Sequence, residues 1–169
     1  MIKILFICHG NICRSTMAEF VLKDLVNKKG ISNKFIIDSA GTSTEEIGND
    51  THYGTKKKLD EMNISYTTRH ARQVNINDYT EYDYLICMDD RNIINLKRIV
   101  GEDESNKIKL LLDYVGKHQS IKVLFVKLFD TVIFKLNKII NDRKLFVCHF
   151  IWYYKVIIYD TRKYSYIIK

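Results

Sequence analysis

The sequence predicts an α/β fold: a doubly wound, four-stranded parallel sheet with helices on both faces and a ligand-binding loop after the first strand. Three observations carry this reading. Short apolar runs fall at residues 2–8, 34–38, 82–88 and 108–112. Segments of helical period separate them, the pattern of strand–helix–strand units with parallel pairing. The first run breaks directly into a Gly- and Asn-bearing loop that opens the first helix, the position where parallel sheets bind ligands.

Residues 2–8 are β-branched and aromatic without a polar alternation, as in a strand buried on both faces. Residues 15–29 change period. Met17, Phe20, Val21 and Leu25 share one face, with Glu19, Lys23 and Asp24 assigned to the other. Ser15 or Thr16 can cap the start and Gly30 can stop the helix. Residues 34–38 form the second strand, ended by Ser39-Ala40-Gly41-Thr42. A helix is expected over 52–62, closed by Asn63, and a polar helix over 89–100. Strands at 82–88 and 108–112 complete the sheet.

Beyond Gly116 the texture changes. The last 54 residues hold no alanine and no glutamate, but eleven of the twenty aromatics. They also hold eleven Lys or Arg against three Asp, a net +8, whereas residues 1–115 hold sixteen basic against seventeen acidic groups. Residues 130–141 can form a helix, and 145–169 are dense in strand formers without turn signals. We therefore expect a core over 1–115 and an irregular, divergent, basic and aromatic C-terminal tail over 116–169 that is not an independent domain. Such a break fits a reading-frame shift or a diverged end, which the other frames of the coding DNA would tell apart.

Composition excludes several classes. The basic charge belongs to the tail, which carries no nucleic-acid-binding motif, so no nucleic-acid partner is expected. The longest apolar stretch, 145–159, is short and interrupted by His149 and Lys155, so membrane contact through the tail is not expected. The N-terminus lacks a small-residue cleavage site. Cys8, Cys13, Cys87 and Cys148 form no CxxC pair and no zinc-ligand spacing, so no metal or cofactor is expected, and the setting is a reducing cytoplasm.

The chemistry lies in Cys8-His9-Gly10-Asn11-Ile12-Cys13-Arg14-Ser15, between strand and helix. A tight loop entering a helix turns successive backbone N–H groups inward and forms an anion cradle. The helix N-terminus adds free donors and partial positive charge. That environment favours the thiolate form of a cysteine at its floor. An arginine six residues on can grip an oxyanion through two parallel hydrogen bonds. Gly10 is expected to supply the sharp backbone turn, Asn11 to hydrogen-bond within the loop and accept left-handed angles, and Ser15 to donate to the sulfur. The parts describe nucleophilic phosphoryl transfer through a cysteinyl-phosphate.

This string, with Met17-Ala18-Glu19, Asp38-Ser39-Ala40-Gly41-Thr42, Ile47-Gly48-Asn49, Ala71-Arg72-Gln73, Asp83-Tyr84, Cys87-Met88-Asp89 and Leu111-Leu112-Asp113-Tyr114, resembles the low-molecular-weight protein tyrosine phosphatases over residues 1–115. The resemblance implies that Cys8 attacks a phosphotyrosine protein or a small aryl phosphate and that Arg14 binds the phosphate. His9, Gly10, Asn11, Ile12, Cys13 and Ser15 would line the substrate, and Asn11, Ser15 and Ser39 would hold the loop in shape. Cys13 would be a second loop cysteine able to form a reversible disulfide with Cys8; a small buried residue is the alternative.

Departures from the pattern are informative. Thr16 replaces the proline that follows the loop serine, and Glu45 stands where some relatives carry an aromatic on the cleft rim. The family's general acid comes from an Asp-Pro loop, and this chain has no proline. Lys122-Val123-Leu124-Phe125 aligns there, and lysine, with a reference pKa near 10.4, is a poor substitute. Asp130 is the nearest candidate acid, with helix capping as its alternative role, and Asp113 reads as structural. Two other functions stay open: a phosphate- or phosphotyrosine-binding module with little turnover, and an arsenate reductase, for which Cys87 would have to relay a disulfide although Ile94 stands seven residues on.

Overall fold

A computed structural model describes residues 1–115. The expectations placed on Lys122, Asp130, Cys148 and the tail fall outside the described residues. Four strands, β1 (Ile2–Cys8), β2 (Phe35–Gly41), β3 (Tyr84–Cys87) and β4 (Ile108–Leu110), form one parallel sheet in the order β2-β1-β3-β4. Four helices connect them: α1 (Arg14–Lys28), α2 (Tyr53–Glu61), α3 (Ile76–Glu81) and α4 (Asp90–Val100). The expected doubly wound α/β class is what the chain adopts.

β1 lies at the centre because its sequence has no polar face. Ile4, Leu5, Phe6 and Ile7 are fully buried. Leu5 and Ile7 meet Leu85 and Cys87 of β3, Leu96 and Val100 of α4, and Tyr82 in one core layer. Ile4 and Phe6 point to the opposite face, as alternation requires. α1 packs on β1, β2 and α2. It ends in a Schellman turn, with Gly30 at φ +66°, Gly30 N–H on the Asn27 carbonyl (2.9 Å) and Ile31 N–H on that of Val26 (3.0 Å). Among the described residues no helix is long and apolar enough to cross a membrane.

Several elements differ from the sequence reading, each for a local reason. β2 runs on to Gly41 rather than stopping at Asp38. Ser39, Ala40 and Gly41, read as ending the strand, pair instead with Phe6, Ile7 and Cys8. The third strand begins at Tyr84, because residues 76–81 form the unanticipated α3. Six residues are too few to display a period, but Asn75 and Asp78 form a capping box that announces it. β4 ends at Leu110, where Asp113 Oδ2 accepts the Leu110 N–H at 2.9 Å and Leu111–Val115 wind into a 3₁₀ turn. That contact gives Asp113 the structural part expected of it.

Two features tie neighbouring segments together, the first of them at the loop that follows β1. The first is Gly41. A methyl group built there would lie 2.7 Å from the His9 carbonyl oxygen and 3.2 Å from Asn11 N, both backbone atoms. The second is Asp50, between β2 and α2. It accepts from Lys56 Nζ (2.7 Å) and from the N–H groups of Thr51 (2.6 Å) and Arg69 (3.2 Å). The Lys56 hydrogen bond is the main reason its carboxyl falls from 3.8 to about 2.

Gly41→Ala should therefore destabilise the chain by about 1–3 kcal/mol, as overpacking does, and weaken competitive inhibition by inorganic phosphate. Urea unfolding and inhibition assays check both. Because the folded pKa of Asp50 lies below its ordinary value, its contribution is complete above pH 3.8 and is lost as pH falls toward about 2. The stability gap between the native chain and Asp50→Asn should accordingly close over that interval in urea titrations.

Candidate active site

The loop 9–13 joins the carboxyl end of β1 to α1. Its carbonyls are turned outward and tied off. Thr42 N–H bonds the Cys8 carbonyl and Ser43 N–H that of His9, both at 2.9 Å, while His52 N–H bonds that of Ile12 at 2.8 Å. Thr16 Oγ1 and Met17 N–H hold the Cys13 carbonyl, each at 2.9 Å. In a planar trans peptide the N–H points opposite to the C=O. Turning these carbonyls out turns the N–H groups of His9, Gly10, Cys13 and Arg14 inward, which is the expected cradle.

Cys8 is buried at its floor. Asn11 N–H points at Cys8 Sγ (3.3 Å), and Ser15 Oγ lies 3.0 Å from it. Asn11 takes the left-handed conformation (φ +59°) that its side chain suits. Two sequence expectations change here. Gly10 has no positive φ; its lack of a side chain matters because a Cβ would stand 2.8 Å from Glu46 Cγ. Nor does Ser15 or Thr16 cap α1. The N-cap is Cys13, without a side-chain cap bond, and Ser15 sits inside the helix facing Cys8.

Arg14 opens α1 and pairs through Nη1 with Asp89 Oδ2; both side chains are largely buried. Asp89 follows β3 and caps α4, its Oδ1 accepting the Asn92 N–H at 2.7 Å. One carboxylate thus anchors a helix with one oxygen and aims the arginine with the other. The pair spans the gap between β1 and β3, where the strand order reverses and α/β sheets place their ligands.

Behind the loop lies a polar cluster that the sequence reading found only in part. Asn11 Nδ2 donates to Ser39 Oγ (2.8 Å) and to Ser15 Oγ (3.0 Å), as expected of loop-supporting residues. Arg69 joins them, Nη1 donating to Ser39 Oγ (2.7 Å) and Nη2 to Asn11 Oδ1 (3.0 Å). Glu19 accepts from Ser39 Oγ at 2.6 Å. Its assignment to an outer face fails because α1 is buried on all sides from Ser15 to Leu22. The spacing of Ser15 and Glu19, four apart on one helix face, was the available signal. Arg69 lies in a segment without periodicity, and nothing local singles it out.

At the mouth, His9 Nε2 and Glu45 Oε2 are 3.1 Å apart, and both side chains are well exposed. Cys13 is half-buried, and burial, with Cys8 nearby, pushes its thiol pKa up. Cys87 is wholly enclosed in the core beneath α4, and burial pushes its thiol up too, which favours a packing role over a disulfide relay. Among the described residues no group of three or more His, Cys, Asp or Glu could hold a metal ion.

The sequence model for "Low molecular weight phosphotyrosine protein phosphatase" matches residues 3–124. The chain is 47% identical over 115 residues to the low molecular weight protein-tyrosine-phosphatase YfkJ of Bacillus subtilis, covering 68% of this chain and 74% of that protein. It is 41% identical over 126 residues to the low molecular weight phosphotyrosine protein phosphatase of Gallus gallus, covering 74% and 77%. The crystal structure of Bacillus subtilis YfkJ superposes with a TM-score of 0.79 at 37% identity, covering 85% of this chain and 95% of that one. That of the low molecular weight protein tyrosine phosphatase from Streptococcus pyogenes gives 0.71 at 33% identity, covering 88% and 95%. The chain belongs to the low molecular weight phosphotyrosine protein phosphatase family.

Proposed function

We propose that the chain hydrolyses phosphotyrosine in proteins, or small aryl phosphates, through a cysteinyl-phosphate. The observation that carries this reading is Cys8 Sγ at the floor of the inward amides, with Arg14 braced by Asp89 on the opposite side of the strand-order reversal. The inward N–H groups and Arg14 bind the phosphate oxygens. Cys8 Sγ attacks phosphorus as a thiolate. The P–O ester bond breaks and the aryl oxide leaves with the electron pair. Water then attacks phosphorus, the S–P bond breaks, the thiolate is restored, and inorganic phosphate departs. The amides and Arg14 gain strength as charge spreads over the equatorial oxygens, which is where their catalytic value lies.

The leaving phenolate needs a proton. With Lys122 where the family places its acid, first-step turnover on phosphotyrosine is slow, because general acid catalysis contributes about 10²–10⁴-fold. Aryl phosphates whose phenols are acidic need that proton less. A chain that captures phosphate with little turnover is the second reading, and the absence of proline favours it over any other alternative. The working unit in both readings is residues 1–115, with 116–169 as an appended segment, and the cysteine pattern points to a reducing, cytoplasmic setting.

Cys8→Ser should abolish turnover and phosphoenzyme while phosphate binding persists, as followed by rapid-quench labelling and calorimetry. Rates on aryl phosphates of graded leaving-group pKa should fall steeply as that pKa rises, and a flat dependence would remove the claim of a missing acid. Asp89→Asn keeps an Asn92-capping oxygen but loses the ion pair. It should lower kcat/KM about 10–100-fold, the loss of a charge-assisted hydrogen bond of roughly 1.5–3 kcal/mol, with a parallel loss of urea stability, because a largely buried guanidinium loses the carboxylate beside it.

A further inference from the structure

Residues 42–52 run from the end of β2 round the loop to the start of α2. The N–H groups of Thr42, Ser43 and His52 fasten this segment to the loop carbonyls. Two carboxylates ride on it against the first half of the loop. Glu45 stands on a short turn, its N–H donating to Ser43 Oγ at 3.1 Å, and its Oε2 lies 3.1 Å from His9 Nε2. Glu46 lies across Gly10, where a Cβ would stand 2.8 Å from its Cγ, and its Oε2 accepts from Asn49 Nδ2 at 2.7 Å. Negative charge beside an anion site repels a bare phosphate. It favours a ligand that brings a cation with its phosphate.

The acidic groups near the loop differ in what offsets them. Asp89 pairs with the Arg14 guanidinium and Asp50 with the Lys56 ammonium. Glu46 has a neutral amide. Glu45 faces an imidazole, a group that changes charge between about pH 5 and 8. A protonated His9 cancels the Glu45 charge. A neutral His9 can still donate its N–H, but the carboxylate then keeps its full charge. The two side chains are 49% and 72% exposed, so a ligand at the mouth can reach Glu45.

We propose that His9 and Glu45 are a specificity-determining pair: Glu45 engages a lysine or arginine beside the phosphotyrosine, and protonated His9 competes with that cation for the carboxylate. The substrate class is phosphotyrosine in a basic sequence, and the preference for it grows as pH rises and His9 gives up its proton. This rests on the reading of the loop as a phosphate site. It adds no duty to the cradle, to which His9 contributes a backbone N–H that any residue supplies. The other titratable or charged groups around the mouth are Cys13 and Arg14, Glu46 and Asp50 after β2, His52 before α2, and Asp89 before α4.

The test uses the full chain carrying Cys8→Ser, so that bound peptide is not turned over. Calorimetry gives Kd for inorganic phosphate and for peptides with one central phosphotyrosine flanked on both sides by lysine, alanine or glutamate. Each is measured at about pH 5.5 and about pH 8, the two sides of the histidine range. The phosphate itself titrates in that range, and the ratio of lysine to alanine affinity removes that common effect. At the higher pH the lysine peptide should bind about 2–5-fold more tightly than the alanine peptide, the scale of an exposed ion pair. The glutamate peptide should bind more weakly than either, because like charges meet at the rim. The lysine preference should shrink at the lower pH and in high salt. Adding Glu45→Gln should hold the ratio at its low-pH value at both pH values. Adding His9→Gln should do the opposite and hold it at its high-pH value.

Equal affinity for the lysine and alanine peptides at the higher pH overturns the proposal. So does a preference that Glu45→Gln leaves intact. A pH dependence that survives His9→Gln belongs to another group, His52 first, and overturns it too. Inorganic phosphate judges the site separately. Phosphate bound without a charge preference removes this proposal and spares the proposed function, whereas a chain that binds neither phosphate nor any phosphopeptide removes both.

Discussion

The rest of the structure depends on three backbone hydrogen bonds that hold the loop carbonyls outward, from Thr42, Ser43 and His52. They make the cradle electropositive without a side chain, since each outward carbonyl forces the following N–H inward. Two come from the chain leaving β2 and one from the residue that caps α2. The order of the sheet follows from this need. β2 must lie beside β1 along its whole length, from Ile2 opposite Phe35 to Cys8 opposite Gly41, so that its exit arrives at the loop. At the last pair of that ladder a Cβ on residue 41 would stand 2.7 Å from the His9 carbonyl oxygen, which is why a residue without Cβ occupies it.

Two arginines with acidic partners flank the loop in different capacities. Arg14 opens α1 at the proposed anion site and is aimed by Asp89, itself fixed as the α4 cap. Arg69 faces away and binds Ser39 and Asn11, with Glu19 close by. Burying such pairs is costly in desolvation, and replacing them with apolar groups is often neutral or better for stability. Their value here is in geometry, because Arg69 spans Ser39 and Asn11 and Arg14 is held by Asp89, directed bonds that an apolar substitute could not make.

The loop was legible because its chemistry is contiguous. Eight residues carry the proposed nucleophile, the turn-tolerant asparagine, the arginine and the serine, and hydrophobic periodicity places them between strand and helix. Ser39 was recognisable only through the family pattern. Glu19 was misplaced, since periodicity assumes one wet face and the first two turns of α1 have none. Arg69 was invisible, because its contacts with Asn11 and Ser39 are 58 and 30 residues away and its own segment lacks a period. The end of β2 was misread for the opposite reason: small residues that usually mark a turn were selected here for close approach.

The missing space at Gly41 has a thermodynamic corollary. With β2 backbone pressed against the His9 carbonyl, the loop has almost no room to sag or widen. Its conformational entropy is therefore surrendered when the chain folds rather than when an anion arrives. An oxyanion entering such a prearranged nest meets donors already in place, and the free energy of each contact goes into holding the charge.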